Sequence, residues 1–264
     1  MRKIVSICIF AFLLYSCGSV AITGRRQVLL YNSGDIAALS DESYKEVMST
    51  SAISKNAQQT RMVQDVGTRL VQAVTNYMSQ NGKAQQLSAY TWGFTLLESQ
   101  EVNAFCLPNG KIVVYEGLMK YASTADRLAV VVGHEIAHAI ANHGNERMSQ
   151  ETLVNMLGAA GSAILANKSE VTQAIFGTAF GLGSTYGVLM PYSRTHEYEA
   201  DRLGLIFMAM AGYDPNQAIT FWEMMSASSG PKPPEFMSTH PSDAHRIAKI
   251  KEVIPEALQY APRR

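Results

Sequence analysis

The stretch Val131–His143, VVGHEIAHAIANH, sets His134 and His138 four residues apart with Glu135 directly after the first. On an α-helix that spacing puts both imidazoles on one face, about one turn apart, where they can grip a single zinc ion. Glu135 lies about 100° further round, off the ligand face yet within reach of a water that the zinc activates, which suits a general base. The segment can build a helix. Ser123 with Asp126 three residues on reads as a capping start, Leu128, Val130, Val131, Val132, Ile136 and Ile140 make it apolar nearly all round, and Gly144 reads as its stop. Two histidines and a carboxylate on a buried helix are costly unless paired or metal-bound, so a metal explains the polar face better than incidental core residues do.

A catalytic zinc needs a third protein ligand and one position left open. The pattern HExxHxxGxxH would place it on the same run, but Ala141 stands at its glycine position and Gly144 at its third histidine, which excludes that class. His143 is one residue out of step and reads as a capping or core histidine. The better candidate is SRTHEYEADRLG, Ser193–Gly204, in a helix expected from about Arg194 to Ala211 and ended by Gly212. Glu197 and Asp201 share one face with Ala200 and Gly204, whose small size lets two helices approach closely. Glu197 would bind zinc, and Asp201 would accept the other N–H of a ligating histidine and fix its tautomer. The competing reading makes Glu197, Glu199, Asp201 and Arg202 a solvated face, which is the expectation kept for Glu199 and Arg202.

Elsewhere the periodicity predicts helices over Asp35–Thr50 and Asn56–Met78, the second laying Met62, Val63, Val66, Leu70, Val74, Tyr77 and Met78 on one face. Tyr90–Leu97 predicts a strand, and Asn103–Leu107, a turn at Pro108, Asn109 and Gly110, and Lys111–Tyr115 predict a hairpin. An edge strand beside the metal can accept an extended peptide as one more strand, which makes Asn103, Ala104 and Phe105 candidate substrate-binding residues. Residues 153–190 form two nearly uncharged pieces around Asn167–Glu170. A single crossing of a bilayer would separate the two halves of the metal site, and the first piece is too short for a second crossing, so an apolar helical hairpin is expected instead.

The N-terminus reads separately. Arg2 and Lys3 precede the apolar run Ile4–Leu14, too short to span a bilayer and suited to a signal peptide over residues 1–16. Leu14, Tyr15, Ser16 and Cys17 resemble a bacterial lipobox, with Cys17 as the lipidated residue, residues 17–34 as a tether and 35–264 as one peptidase domain. Cys106 is then the one thiol left, so no disulfide framework is available. With 22 basic and 22 acidic side chains in 264 residues, the chain shows no charge bias toward nucleic acid. The location expected from this leader is the periplasmic face of a bacterial envelope, lipid-anchored, at the outer membrane rather than the inner.

HEIAH, SRTHEYEAD and the later STHPSDAHR together resemble the HtpX and CAAX prenyl protease family of membrane-associated zinc metallopeptidases, and TGRRQ resembles its periplasmic lipoprotein branch. The resemblance implies a gluzincin-like fold, mostly α with a small β-sheet, one zinc per chain on His134, His138 and Glu197, and polypeptide substrates among misfolded or unassembled envelope proteins. It also brings His240 of the HP motif near the zinc, either as a donor to the oxyanion or as an inhibitory fourth ligand. Arg246, six residues on, could hold Asp201 or the substrate. A quiet chaperone is the rival from another class, but a pure binder has no use for Glu135. Cleavage of isoprenylated substrates goes with multi-span members, and no multi-span topology is available here.

Overall fold

The computed structural model describes residues 17–184, 189–228, 234–240 and 244–262. In chain order its elements are strands β1 (Cys17–Ser19) and β2 (Arg26–Val28), helices α1 (Ser33–Thr50) and α2 (Ala57–Gln80), and strands β3 (Gly93–Leu97), β4 (Ala104–Cys106) and β5 (Lys111–Tyr115). Helices α3 (Ala125–Ile140), α4 (His143–Leu165), α5 (Glu170–Ser184), α6 (Met190–Met210), α7 (Gln217–Ala227), α8 (Glu235–Thr239) and α9 (Ala244–Ala257) follow. The mostly helical chain with a small sheet is the fold class expected. It divides into two units, Met1–Asn32 with Asn142–His196, and Ser33–Ala141 with Glu197–Arg264.

The second unit is built on the sheet β3-β5-β4, in which β3 runs parallel to β5 and β4 antiparallel to it. Ile112, Val113 and Val114 of β5 are all buried, as a central strand covered on both faces requires. β4 is one edge strand and β3 the other, the latter flanked by Ala52 and Ser54, which bond to Glu98 and Leu96. Its turn to β5 closes with Gly110 N–H donating to the Leu107 carbonyl at 2.8 Å, and Gly110 adopts φ 88°, a conformation that only glycine takes easily. α2 lays Val63, Val66, Leu70, Val74 and Met78 inward at helical spacing and packs on β3 and α3. Each such fully buried aliphatic side chain contributes about 1.5–3 kcal/mol.

α3 lies in the middle of this unit, and its apolar girth explains why it is buried from Leu128 to Ala137. Its cap is Thr124, whose hydroxyl accepts the Arg127 N–H at 3.3 Å, one residue later than Ser123 was expected to serve. The expected stop also moves: the helix ends at Ile140, Asn142 takes the left-handed φ of 54°, and Gly144 lies inside α4. α3 and α6 touch at Gly133 and Gly204. A Cβ on Gly204 would fall 2.9 Å from the His134 backbone nitrogen, closer than real Cβ atoms come.

In the first unit, β1 and β2 form an antiparallel ribbon pairing Cys17 with Val28. Leu14 to Ser16 lie outside the described residues. Arg25 of the TGRRQ stretch donates from both terminal nitrogens to the buried Glu146, at 2.8 and 2.6 Å, and His196 Nε2 lies 3.0 Å from the same carboxylate. His143, a core histidine, stacks on His196 with ring centroids 4.2 Å apart. α4 and α5 make the expected hairpin, with Phe176 against Gly161 and Phe180 against Gly158. Ile164, Val171 and Ile175 are exposed on it, and no described helix is long and apolar enough to cross a membrane.

Candidate metal centre

His134 and His138 project from α3, Glu197 from α6, and His240 from the end of α8. One ligand atom from each lies within 4.8 Å of all the others. His134 Nε2 is 3.0 Å from His138 Nε2, 3.1 Å from His240 Nδ1 and 3.3 Å from Glu197 Oε2. His138 Nε2 is 3.3 Å from Glu197 Oε1, and His240 Nδ1 is 3.0 Å from Glu197 Oε2.

These separations test whether zinc fits. With zinc–nitrogen bonds of about 2.0–2.1 Å, the donors of a tetrahedral site stand roughly 3.3 Å apart, which matches the observed spacings. The tautomers point the same way. His134 Nδ1–H donates to Asp201 Oδ1 at 3.0 Å, which leaves Nε2, 3.0 Å from another ring nitrogen, as the atom that would bind a metal. Three ring nitrogens and a carboxylate converging in a buried pocket suit a cation, and the residues fit zinc. Without one, burial works against a charged His134, but hydrogen bonds to Asp201 and Glu197 outweigh it and lift its pKa to about 9, a proton that an incoming metal must displace.

A second layer holds the first. Burial alone would raise the Asp201 pKa, but the charge of Arg246 and the His134 hydrogen bond bring it below the ordinary range. Arg246 Nε and Nη2 donate to the two Asp201 oxygens at 2.7 and 2.8 Å, and Nη1 donates to the His240 carbonyl at 3.0 Å. Arg246 is 1 % exposed. Of the two readings of Arg246, holding Asp201 or holding the substrate, this geometry supports the first, since a guanidinium so buried and so engaged with Asp201 and the His240 carbonyl is turned away from a peptide.

Glu135 is buried beside the donor set and is not part of it. Its Oε1 has no hydrogen-bond partner among the described residues and lies 3.4 Å from His240 Nε2. Burial raises its pKa, against the opposing pull of His240 and His134. β4 runs alongside, with Ala104 buried, Phe105 half-buried against the Tyr115 ring, and the Asn103 side chain accepting the Ala104 N–H at 2.9 Å. Glu199, expected in a solvated face, is buried, whereas Arg202 does turn outward, to Glu256 at 2.6 Å. Pro241, which follows His240 in the sequence, lies outside the described residues.

The pattern of peptidase family M48 matches residues 57–254, from α2 to near the end of α9 and including every residue of this centre. The chain belongs to peptidase family M48. The family is one of metallopeptidases, which agrees with the donor set described above. Among its relatives, the mitochondrial metalloendopeptidase OMA1 of Schizosaccharomyces pombe is 33% identical over 228 residues, covering 83% of this chain and 61% of that protein. The mitochondrial metalloendopeptidase OMA1 of Bos taurus is 33% identical over 247 residues, 90% of this chain and 46% of that protein. The beta-barrel assembly-enhancing protease of Escherichia coli is 32% identical over 165 residues, 60% of this chain and 33% of that protein. The chain thus spans about half the length of the curated relatives it matches.

These relatives overturn one expectation. The mitochondrial metalloendopeptidases match more of this chain than the bacterial protease does, so a lipid-anchored location at the outer membrane does not stand. The leader that suggested it is a short compositional signal, independent of the fold by which these proteins are alike.

Proposed function

We propose that this chain is a zinc-dependent endopeptidase that cuts misfolded or unassembled polypeptides. The observation that carries the reading is the convergence of His134, His138, Glu197 and His240 to within 4.8 Å, with Glu135 Oε1, which accepts no hydrogen bond among the described residues, beside them. Zinc bound there would polarise the scissile carbonyl and acidify a water. Glu135 takes the proton of the attacking water and delivers it to the leaving amine. Asp201 and Arg246 hold the His134 ring in the tautomer that presents Nε2. The outer edge of β4 receives the substrate in extended form, with Asn103, Ala104 and Phe105 along it. The name of the Escherichia coli relative, a protease that enhances β-barrel assembly, supports proteins awaiting assembly as a substrate class.

The test is Glu135→Gln, which keeps the shape of the side chain and removes the base. The wild-type chain should degrade casein in a zinc-dependent manner, and the variant should lose at least ~100-fold in rate while binding zinc normally. Undiminished cleavage by Glu135→Gln rules the mechanism out.

A further inference from the structure

We infer that Trp222 is a positioning residue of the metal centre, acting through Arg246 and Asp201 on His134. The inference rests on the reading of that centre as a zinc site. Trp222 lies on α7, 1 % exposed, and the guanidinium carbon of Arg246 sits 3.8 Å from the centroid of its ring. A buried cation needs its charge answered from every side. In the plane of the guanidinium fork, the two Asp201 oxygens and the His240 carbonyl do this. The flat face of the guanidinium offers no N–H to any acceptor, and an indole is the side chain best suited to cover it.

The indole reaches the centre along a second line as well. Its ring stacks with Phe236, centroids 5.8 Å apart at 24°, and Phe236 packs against the His240 ring at 4.7 Å. The Phe236 N–H is fixed to the Val102 carbonyl at 2.9 Å, so this ring is itself held in place. The space behind His134 is otherwise nearly closed: a cavity of about 10 Å³ is lined by His134, Asp201, Gly204 and Trp222 among others. With a smaller aliphatic residue at 222, Arg246 can settle into the freed volume, Asp201 follows its two hydrogen bonds, and the His134 ring turns away from the donor set. A core tryptophan with no such task would add stability and leave metal affinity untouched.

The experiment uses the full chain and measures zinc affinity against a chromophoric chelator, with the melting temperature of the metal-free form recorded beside it. Trp222→Leu should weaken zinc binding about 10-fold, in the range of other losses behind a metal ligand. Trp222→Phe, which keeps a smaller aromatic face, should weaken it only ~3-fold although its melting temperature also falls. In an Arg246→Met background, Trp222→Leu should cause no further loss of affinity, since the link it acts through is gone. A wild-type chain that binds zinc and a Trp222→Leu chain that binds it equally well overturn the inference, as does a full 10-fold loss repeated in the Arg246→Met background. If Trp222→Leu does not fold, wild-type affinity in Trp222→Phe overturns it. A wild-type chain that takes up no zinc overturns the zinc reading and this inference with it.

Discussion

Asp201 accepts the Nδ1–H of His134 at 3.0 Å, and that hydrogen bond leaves Nε2 of the same ring free to face His138 and Glu197. The bond joins α6 to α3, so the helix that supplies the carboxylate donor also sets the protonation of the histidine donor. Asp201→Asn keeps an acceptor of similar shape but removes the charge that balances Arg246. Zinc affinity should fall by roughly 10- to 100-fold, measured by competition with a chelator. Glu197→Ala, which deletes a donor outright, should leave no stoichiometric zinc; normal metal content there would refute the assignment of the third ligand.

His240 decides whether the centre is open or closed. Its Nδ1 stands 3.0–3.1 Å from Glu197 and His134, within the donor set. Four protein donors describe a closed site, whereas a catalytic zinc keeps one position free. The His240→Ala chain should therefore cleave casein faster than wild type at saturating zinc, while holding the metal less tightly. A fall in turnover of ~100-fold with zinc retained would instead make His240 the donor to the oxyanion.

The parts of this centre legible in the sequence are the local ones. His134 with His138, and Glu197 with Asp201, are each four apart on one helix, so one turn of geometry suffices to place them together. Arg246 was not legible in the same way, because its burial depends on α9 packing against α7, which brings Trp222 over it, and no periodicity within α9 reports that. The parallel pairing of β3 with β5 is likewise a long-range fact, whereas the β4–β5 hairpin is announced by Pro108, Asn109 and Gly110. Arg25 stood in a recognised stretch, but its partner Glu146 is 121 residues away. The cap moved from Ser123 to Thr124 because both can accept a hydrogen bond and only the packing of α3 selects between them.

The Arg25–Glu146 pair makes stability depend on pH with a definite sign. Burial raises the Glu146 pKa, but hydrogen bonds from Arg25 and His196 outweigh it and bring it below the ordinary value of 4.5. A carboxylate whose folded pKa is depressed adds stability above its unfolded pKa, and that stability is lost as pH falls through the folded value. Wild type should therefore melt above Arg25→Met at pH 7, by something like 1–3 kcal/mol or several degrees. The gap should narrow once the pH drops below the ordinary glutamate range. Thermal melts of both chains in chelator, at pH 7 and then at successively lower pH, check this without interference from metal loss. A gap that stays constant down to the acid end would assign the difference to packing of the arginine stem.

The approach of α3 to α6 sets how far apart the two halves of the donor set stand, and two glycines permit it. A Cβ on Gly204 would lie 2.9 Å from the His134 nitrogen and 3.1 Å from the Gly133 carbonyl carbon, both backbone atoms that cannot swing aside. In Gly204→Ala the helices must separate by several tenths of an ångström, at a cost of about 1–3 kcal/mol for overpacking, set against a helix-propensity gain of up to ~1 kcal/mol. Since His134 sits at the contact itself, its Nε2 should also withdraw from Glu197, and zinc should bind more weakly than the loss in stability alone explains. Gly177→Ala is the control: nothing lies within 4 Å of its Cβ position, so the same change there should stabilise α5 by roughly 0.5–1 kcal/mol and leave zinc binding as it was. Melting temperatures and zinc affinities of the two variants, measured together, separate the contact from the propensity. Equal zinc affinity in both would show that the spacing of α3 and α6 has slack that the centre does not feel.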